Sequence, residues 1–310
     1  MNTQLTEHPR LQVEMILASL YLRGAPKNKA TPKYHALSIF DLLKNKDLTL
    51  EQMISFLHQQ GYIAETKILE NNDLLEWSKK EILSNKVMTF ASEYYPKQWA
   101  DKLGVGAPPA LWKKGDFPPG PFLGVVGSQN ILPPDQNFSF ECGKQIISLG
   151  YSFVSGGARG ADTWGAKGAF EMSKQLFNQE NHEVFQKKIV ELLPYGLSRN
   201  TPYIEKNFKC ELSICEPDAR FSTAHAMERN ILIYALSEVT IVVRAKLYKG
   251  GSWHGATSAL KRKITHLLVQ NDPLDSAMQA LIAKGGIPLF SPDLLDESIQ
   301  FLPVMQNMFS

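Results

Sequence analysis

The chain has 310 residues, enough to bury a sizeable core and, on length alone, to form about two domains. Hydrophobic residues make up 44% and charged residues 21%, and 33 Lys and Arg stand against 31 acids. A formal net charge of +2 does not announce a nucleic-acid binder, so any basic surface has to be local.

Cys142, Cys210 and Cys215 have no CxxC spacing. They read as reduced thiols and can build neither a zinc cage nor a disulfide framework. The start MNTQLTEHPRLQVEMILASL places acids and polar residues where a signal peptide needs an apolar stretch. No run approaches the roughly 18 apolar residues of a membrane span. We therefore expect a cytoplasmic protein without a membrane partner.

From residue 8 to about 85 the pattern predicts helices. LQVEMILASLYLRG, ALSIFDLLKN, TLEQMISFLHQQGY and DLLEWSKKEILS carry apolar residues at helical spacing, and Thr49 with Gln52 forms a capping-box signature. Residues 1–90 thus read as a small all-helical domain. The stretch SEYYPKQWADKLGVGAPPALWKKGDFPPGP, rich in Pro, Gly and aromatics, reads as an irregular connector over 91–121.

From Phe122 the character changes. FLGVVG, YSFVSGG, KIVELLP, CELSICE, VTIVVRA, ITHLLVQ and GIPLF are short apolar runs separated by polar or helical stretches. Such runs suit parallel strands buried on both faces, so 122–310 reads as an α/β domain, a doubly wound, mostly parallel sheet. The helix after Gly160 carries Ala161, Gly165 and Ala169 with Ala166 on the neighbouring stripe, which lets it lie close on a sheet.

Three strand-to-helix corners share one layout: Gly127-Ser128-Gln129, then Ser155-Gly156-Gly157 running to Arg159-Gly160, then Lys249 with Gly251-Ser252. The first N–H groups of a helix have no intrahelical partner, and with the helix dipole they attract phosphate. Arg159 and Lys249 add charge. In open α/β sheets ligands sit outside the carboxyl ends of the strands, where these corners belong. For one corner alone, packing or a positive φ explains the glycine. Three corners with serines beside them favour a phosphate-lined crevice.

Other chemistry is thin. No G-x-G-x-x-G follows a strand and no G-x-x-x-x-G-K-[ST] exists. GGSWHG approaches a G-x-S-x-G elbow only with an extra residue. No HExxH or comparable metal-ligand set occurs. The sequence calls for no cofactor, no metal and no catalytic residue.

These residues resemble the DNA-processing protein A family (DprA, also called Smf) within the Rossmann-like SLOG group, over roughly residues 90 to 290. YYPKQW…PPALWKKGD is similar to the family's lead-in, GVVGSQN to its V-G-S-R turn, and VSGGARGADTWGAKGAF to its S-G-x-A-R-G-x-D motif. LPYGL, SICEPDARFSTAHAMERNILIYALSEVTIVVRA and YKGGSWHGATSAL follow in the family's order. The resemblance implies a Rossmann-like domain that binds single-stranded DNA without catalysis, dimerises, and loads a RecA-type recombinase during natural transformation. It also implies the DNA-facing groups Gly127, Ser128, Gln129, Ser155, Gly156, Arg159, Gly160, Arg229, Asn230, Gly251 and Ser252, to which the corners themselves add Gly157 and Lys249. Tyr248 and Trp253 are candidates for base stacking, and Asp162 and Asn230 for bracing the loops.

The chain departs from the family pattern. Gln129 stands where an arginine is usual, Ala166 replaces a His, Arg244 replaces a Glu, and Gly255 replaces a Thr. We expect no winged-helix extension. Such a divergent member also fits a bacterial defence or toxin–antitoxin setting. Two further readings stay open: a SLOG-type nucleotide sensor, and an antitoxin or adaptor whose main partner is a protein. The related phosphoribohydrolases carry P-G-G-x-G-T-x-x-E, but KGGSWHGATSAL has no acid, which argues against glycosidic cleavage.

Overall fold

The computed structural model describes residues 9–23, 33–180, 188–198 and 204–302. The chain divides into two compact units. One takes the chain up to Asp116 together with Tyr195–Ser198 and Leu212–Arg220, and the other takes the rest.

The first unit opens with α1 (Pro9–Ala18), which passes into a π-helical turn at Ser19–Arg23. It continues through α2 (Lys33–Leu43), α3 (Leu50–Gln59), α4 (Ile63–Leu69) and α5 (Asn72–Leu83). The capping box is present: the Gln52 amide donates to Thr49 Oγ1 at 3.3 Å, and the Thr49 amide donates to Gln52 Oε1 at 2.9 Å.

The unit is not all helical. β1 (Val87–Thr89) pairs antiparallel with β2 (Ala110–Lys114), and α6 (Lys97–Leu103) lies between them. The connector expected over 91–121 therefore holds regular structure. Its aromatics are core residues: Trp99 is fully buried, and the buried Tyr95 packs against it and donates its hydroxyl to Pro108 O at 2.9 Å. Pro96 and Gly104 bracket α6 without breaking it, since proline is tolerated before a helix and Gly104 ends it at φ +54°.

The second unit alternates strands and helices: β3 (Phe122–Gly127), α7 (Pro133–Ser148), β4 (Ser152–Ser155), α8 (Ala161–Glu180) and β5 (Ile189–Leu192). Then follow β6 (Lys209–Ser213), α9 (Thr223–Leu236), β7 (Val239–Val243), α10 (Gly250–Arg262), β8 (His266–Gln270), α11 (Ser276–Ala283), β9 (Ile287–Leu289) and α12 (Leu295–Gln300). The strands lie in the order β6-β5-β4-β3-β7-β8-β9. β3–β4, β4–β5, β3–β7, β7–β8 and β8–β9 are all parallel. This is a Rossmann-like, mostly parallel α/β fold.

Alternation along β3 sends Leu123 and Val125 into one core with Phe153, Ile241 and the small residues Ala161, Ala166 and Ala169 of α8. The other face lies against α9, which touches β3, β4 and β5. α7 and α8 approach closely: a methyl on Gly143 would collide with Gly165 O, and one on Gly168 with Phe140 O. Ser139 Oγ donates to Ala161 O across this seam at 2.7 Å. The small-residue stripe thus serves helix–helix packing as well as the sheet.

Candidate functional site

Because β4, β3 and β7 are adjacent and parallel, the three glycine corners at their carboxyl ends stand side by side. Hydrogen bonds stitch them together. Ser252 Oγ donates to Gly127 O at 2.6 Å, joining the third corner to the first. The Ala161 amide donates to Ser128 O at 3.1 Å, joining the second to the first. The Ser128 amide donates to Arg244 O at 2.9 Å and to Val243 O at 3.2 Å.

Two glycines are required by this approach. A methyl on Gly127 would strike Val243 O, and Gly160 (φ +80°) has Ser128 O directly where a side chain would begin. Both are backbone atoms, so no rotamer change relieves them. Gly251 is tight rather than closed, with Asn230 Nδ2 at 2.9 Å from the place of its Cβ.

The second corner is organised by Asp162. Its Oδ2 accepts the Gly156 amide at 2.9 Å and the Ala158 amide at 3.4 Å. These N–H groups are turned inward and do not await an anion. Thr163 Oγ1 donates to Ala158 O at 2.7 Å and closes the turn. Burial pushes the Asp162 carboxyl up to about 6, against the opposing pull of Arg229 and the two amides, while Glu191 adds to the rise.

Arg229, expected to face DNA, is only 5% exposed. Its Nη1 lies where a Gly156 side chain would begin, with Asp162 Oδ2 at 2.7 Å from the same point. Arg229 therefore supports the loop from within. Its neighbours Glu228 and Asn230 are polar, and only the run ILIYAL from Ile231 onward hinted at the buried side of α9.

Trp253 needs the same correction. It is 4% exposed and meets the Tyr248 ring edge to face at 5.3 Å, so it supports Tyr248 and offers no face of its own. Ser155 and Ser128 are buried as well, and Ser155 Oγ accepts the Gly157 amide at 3.4 Å. Gly156 is buried, while Gly127, Gly157, Gly160, Asn230 and Ser252 are partly covered.

What reaches solvent is a smaller set: Gln129, Arg159, Tyr248, Lys249 and Gly251. Arg159 does not pair with Asp162, whose oxygen is engaged by backbone, and among the described residues neither Arg159 nor Lys249 makes an ion pair. Lys249 stands at the start of α10, whose first turn receives no side-chain cap. Lys249 therefore stands exposed at an open helix start, and Arg159 stands exposed at the second corner, after β4. Among the described residues no His, Cys, Asp or Glu group suits a metal ion, and no helix is long and apolar enough to cross a membrane.

The fold and the site define a class: a Rossmann-like α/β protein with glycine corners crowded at one edge of its sheet. The model of the DNA recombination-mediator protein A family matches residues 86–294, and the chain belongs to that family. No curated protein is significantly similar to it. Among solved structures, it is similar to DNA processing protein A of Helicobacter pylori, described for its single-stranded DNA binding mode. There the identity is 24% over 69% of this chain and 95% of that one, with a TM-score of 0.56. It is also similar to DNA processing protein A of Streptococcus pneumoniae, at 20% identity over 93% of this chain and 97% of that one, with a TM-score of 0.59. At these identities the likeness carries the fold.

Proposed function

We propose that the protein binds single-stranded DNA along the carboxyl edge of β4, β3 and β7 as a non-enzymatic, cytoplasmic homodimer. Backbone phosphates lie between Arg159 and Lys249, at the open start of α10 and beside Gln129. Tyr248, 68% exposed and buttressed by Trp253, stacks on a base. The observation that carries this reading is the pair of exposed cations that have no carboxylate partner among the described residues, set on corners that hydrogen bonds hold together.

Family membership supports a role in DNA processing, in which the held strand is passed to a RecA-type recombinase. The same strand-holding site serves equally in a defence setting with a toxin protein as partner. Fluorescence anisotropy with a labelled oligothymidylate tests the site. Lys249→Ala and Arg159→Ala should each weaken binding whatever the base sequence, since the contacts are to the backbone. Wild-type affinity in both variants would remove the site. Turnover of nucleotides by the pure protein, abolished by Arg159→Ala, would overturn the non-enzymatic reading.

A further inference from the structure

Arg244 closes β7 at the same edge of the sheet, yet its charge is spent inside the protein. Its Nε and Nη2 hold Asp135 at 3.1 and 2.8 Å, and its Nη1 holds Asp272 at 2.8 Å and Asp275 at 2.7 Å. The carboxylates come from two places, Asp135 from the start of α7 and both Asp272 and Asp275 from the loop between β8 and α11. Asp135 lies in the first turn of α7, directly after the first corner, and accepts Gln270 Nε2 at 3.1 Å. Asp272 accepts the Leu274 amide, and Asp275 caps α11 through the Ala277 and Met278 amides.

Three carboxylates about one guanidinium leave the group net negative, and it would repel a phosphate. The backbone tells the same story. Arg244 sits at φ +62°, a conformation glycine adopts without strain and other residues avoid. A long side chain persists there with four charge-assisted hydrogen bonds holding it. Its carbonyl, in turn, receives the Ser128 amide.

Resting on the single-stranded DNA reading above, we infer that Arg244 is a positioning residue of the crevice: its fork ties together the loops after β3, β7 and β8 and so fixes the first corner, without touching the ligand. A planar fork is needed, because a point charge cannot meet Asp135 with two parallel bonds while also meeting Asp272 and Asp275.

The full chain is compared as wild type, Arg244→Gly and Arg244→Lys, the last keeping charge and losing the fork; if the glycine variant does not fold, the lysine variant carries the test. Two readouts are taken: hydrogen exchange at the Ser128 amide without DNA, and affinity for oligothymidylate across a salt series. A positioning role gives at least tenfold faster Ser128 exchange in both variants. It also gives roughly tenfold weaker binding with the wild-type salt slope. Unchanged Ser128 exchange overturns it. So does a slope shallower by about 0.7 in Arg244→Gly that Arg244→Lys restores, because that marks a direct phosphate contact. If the wild type binds no single-stranded DNA, the functional reading falls while the exchange measurement still decides the role of Arg244.

Discussion

Arg159 and Arg229 lie at the same corner in opposite settings, one exposed and the other sealed beneath Gly156. Arg159→Ala should leave the melting temperature near wild type, weaken single-stranded DNA binding, and make the salt slope shallower by about 0.7, since one phosphate contact is lost. An unchanged slope would sink its phosphate role. Gly156→Ala should instead destabilise the fold, because its methyl would meet the Arg229 guanidinium; overpacking of this kind costs about 1–3 kcal/mol, read as a lower denaturant midpoint.

Asp162 gives a pH dependence of definite sign. Its folded pKa of about 6 lies above the ordinary 3.8, so the folded protein binds the proton more tightly than the unfolded chain. Its contribution is fully present below about pH 4 and is lost as pH rises through about 6. The difference in stability between wild type and Asp162→Asn should slope between those values and be flat outside them. Parallel curves throughout would contradict the burial argument. The three glycine turns and the exposed position of Arg159 were legible in the sequence because turn chemistry is local. The burial of Arg229 and Trp253 was not, because it depends on partners far along the chain.

At the scale of elements, the runs from FLGVVG to GIPLF are the strands β3 to β9, since a strand buried on both faces is mostly apolar; the buried charges of β5 and β6 pair with one another, Lys209 with Glu191 and Glu211. The stripe on α8 was equally legible, but its mate on α7 was not: Gly143 and Phe140 reveal themselves only when the two helices meet. Gly143→Ala and Gly168→Ala should each cost about 1–3 kcal/mol or more, because the obstructing atoms are backbone and cannot rotate away. Thr49→Ala removes a cap and should cost about 1 kcal/mol. The stretch after Ser92 misled because Pro and Gly there punctuate α6 and β2, while Trp99 and Leu103 keep the i, i+4 spacing of a helix buried in the first unit.

For the whole molecule, a net charge of +2 supplies little general attraction for a polyanion. On the proposed reading affinity comes from Arg159, Lys249 and the open first turn of α10, so the dependence on salt should be modest, about 0.7 per phosphate held. The most direct measurement is one binding series, at several salt concentrations, with oligothymidylate, the matching duplex, RNA and a mononucleotide. Single-stranded DNA should bind tightest, with a log–log salt slope of about 1–3, and the mononucleotide far more weakly because it spans only one corner. Equal or tighter binding of the mononucleotide, with no dependence on strand length, would contradict this and mark the crevice as a nucleotide pocket.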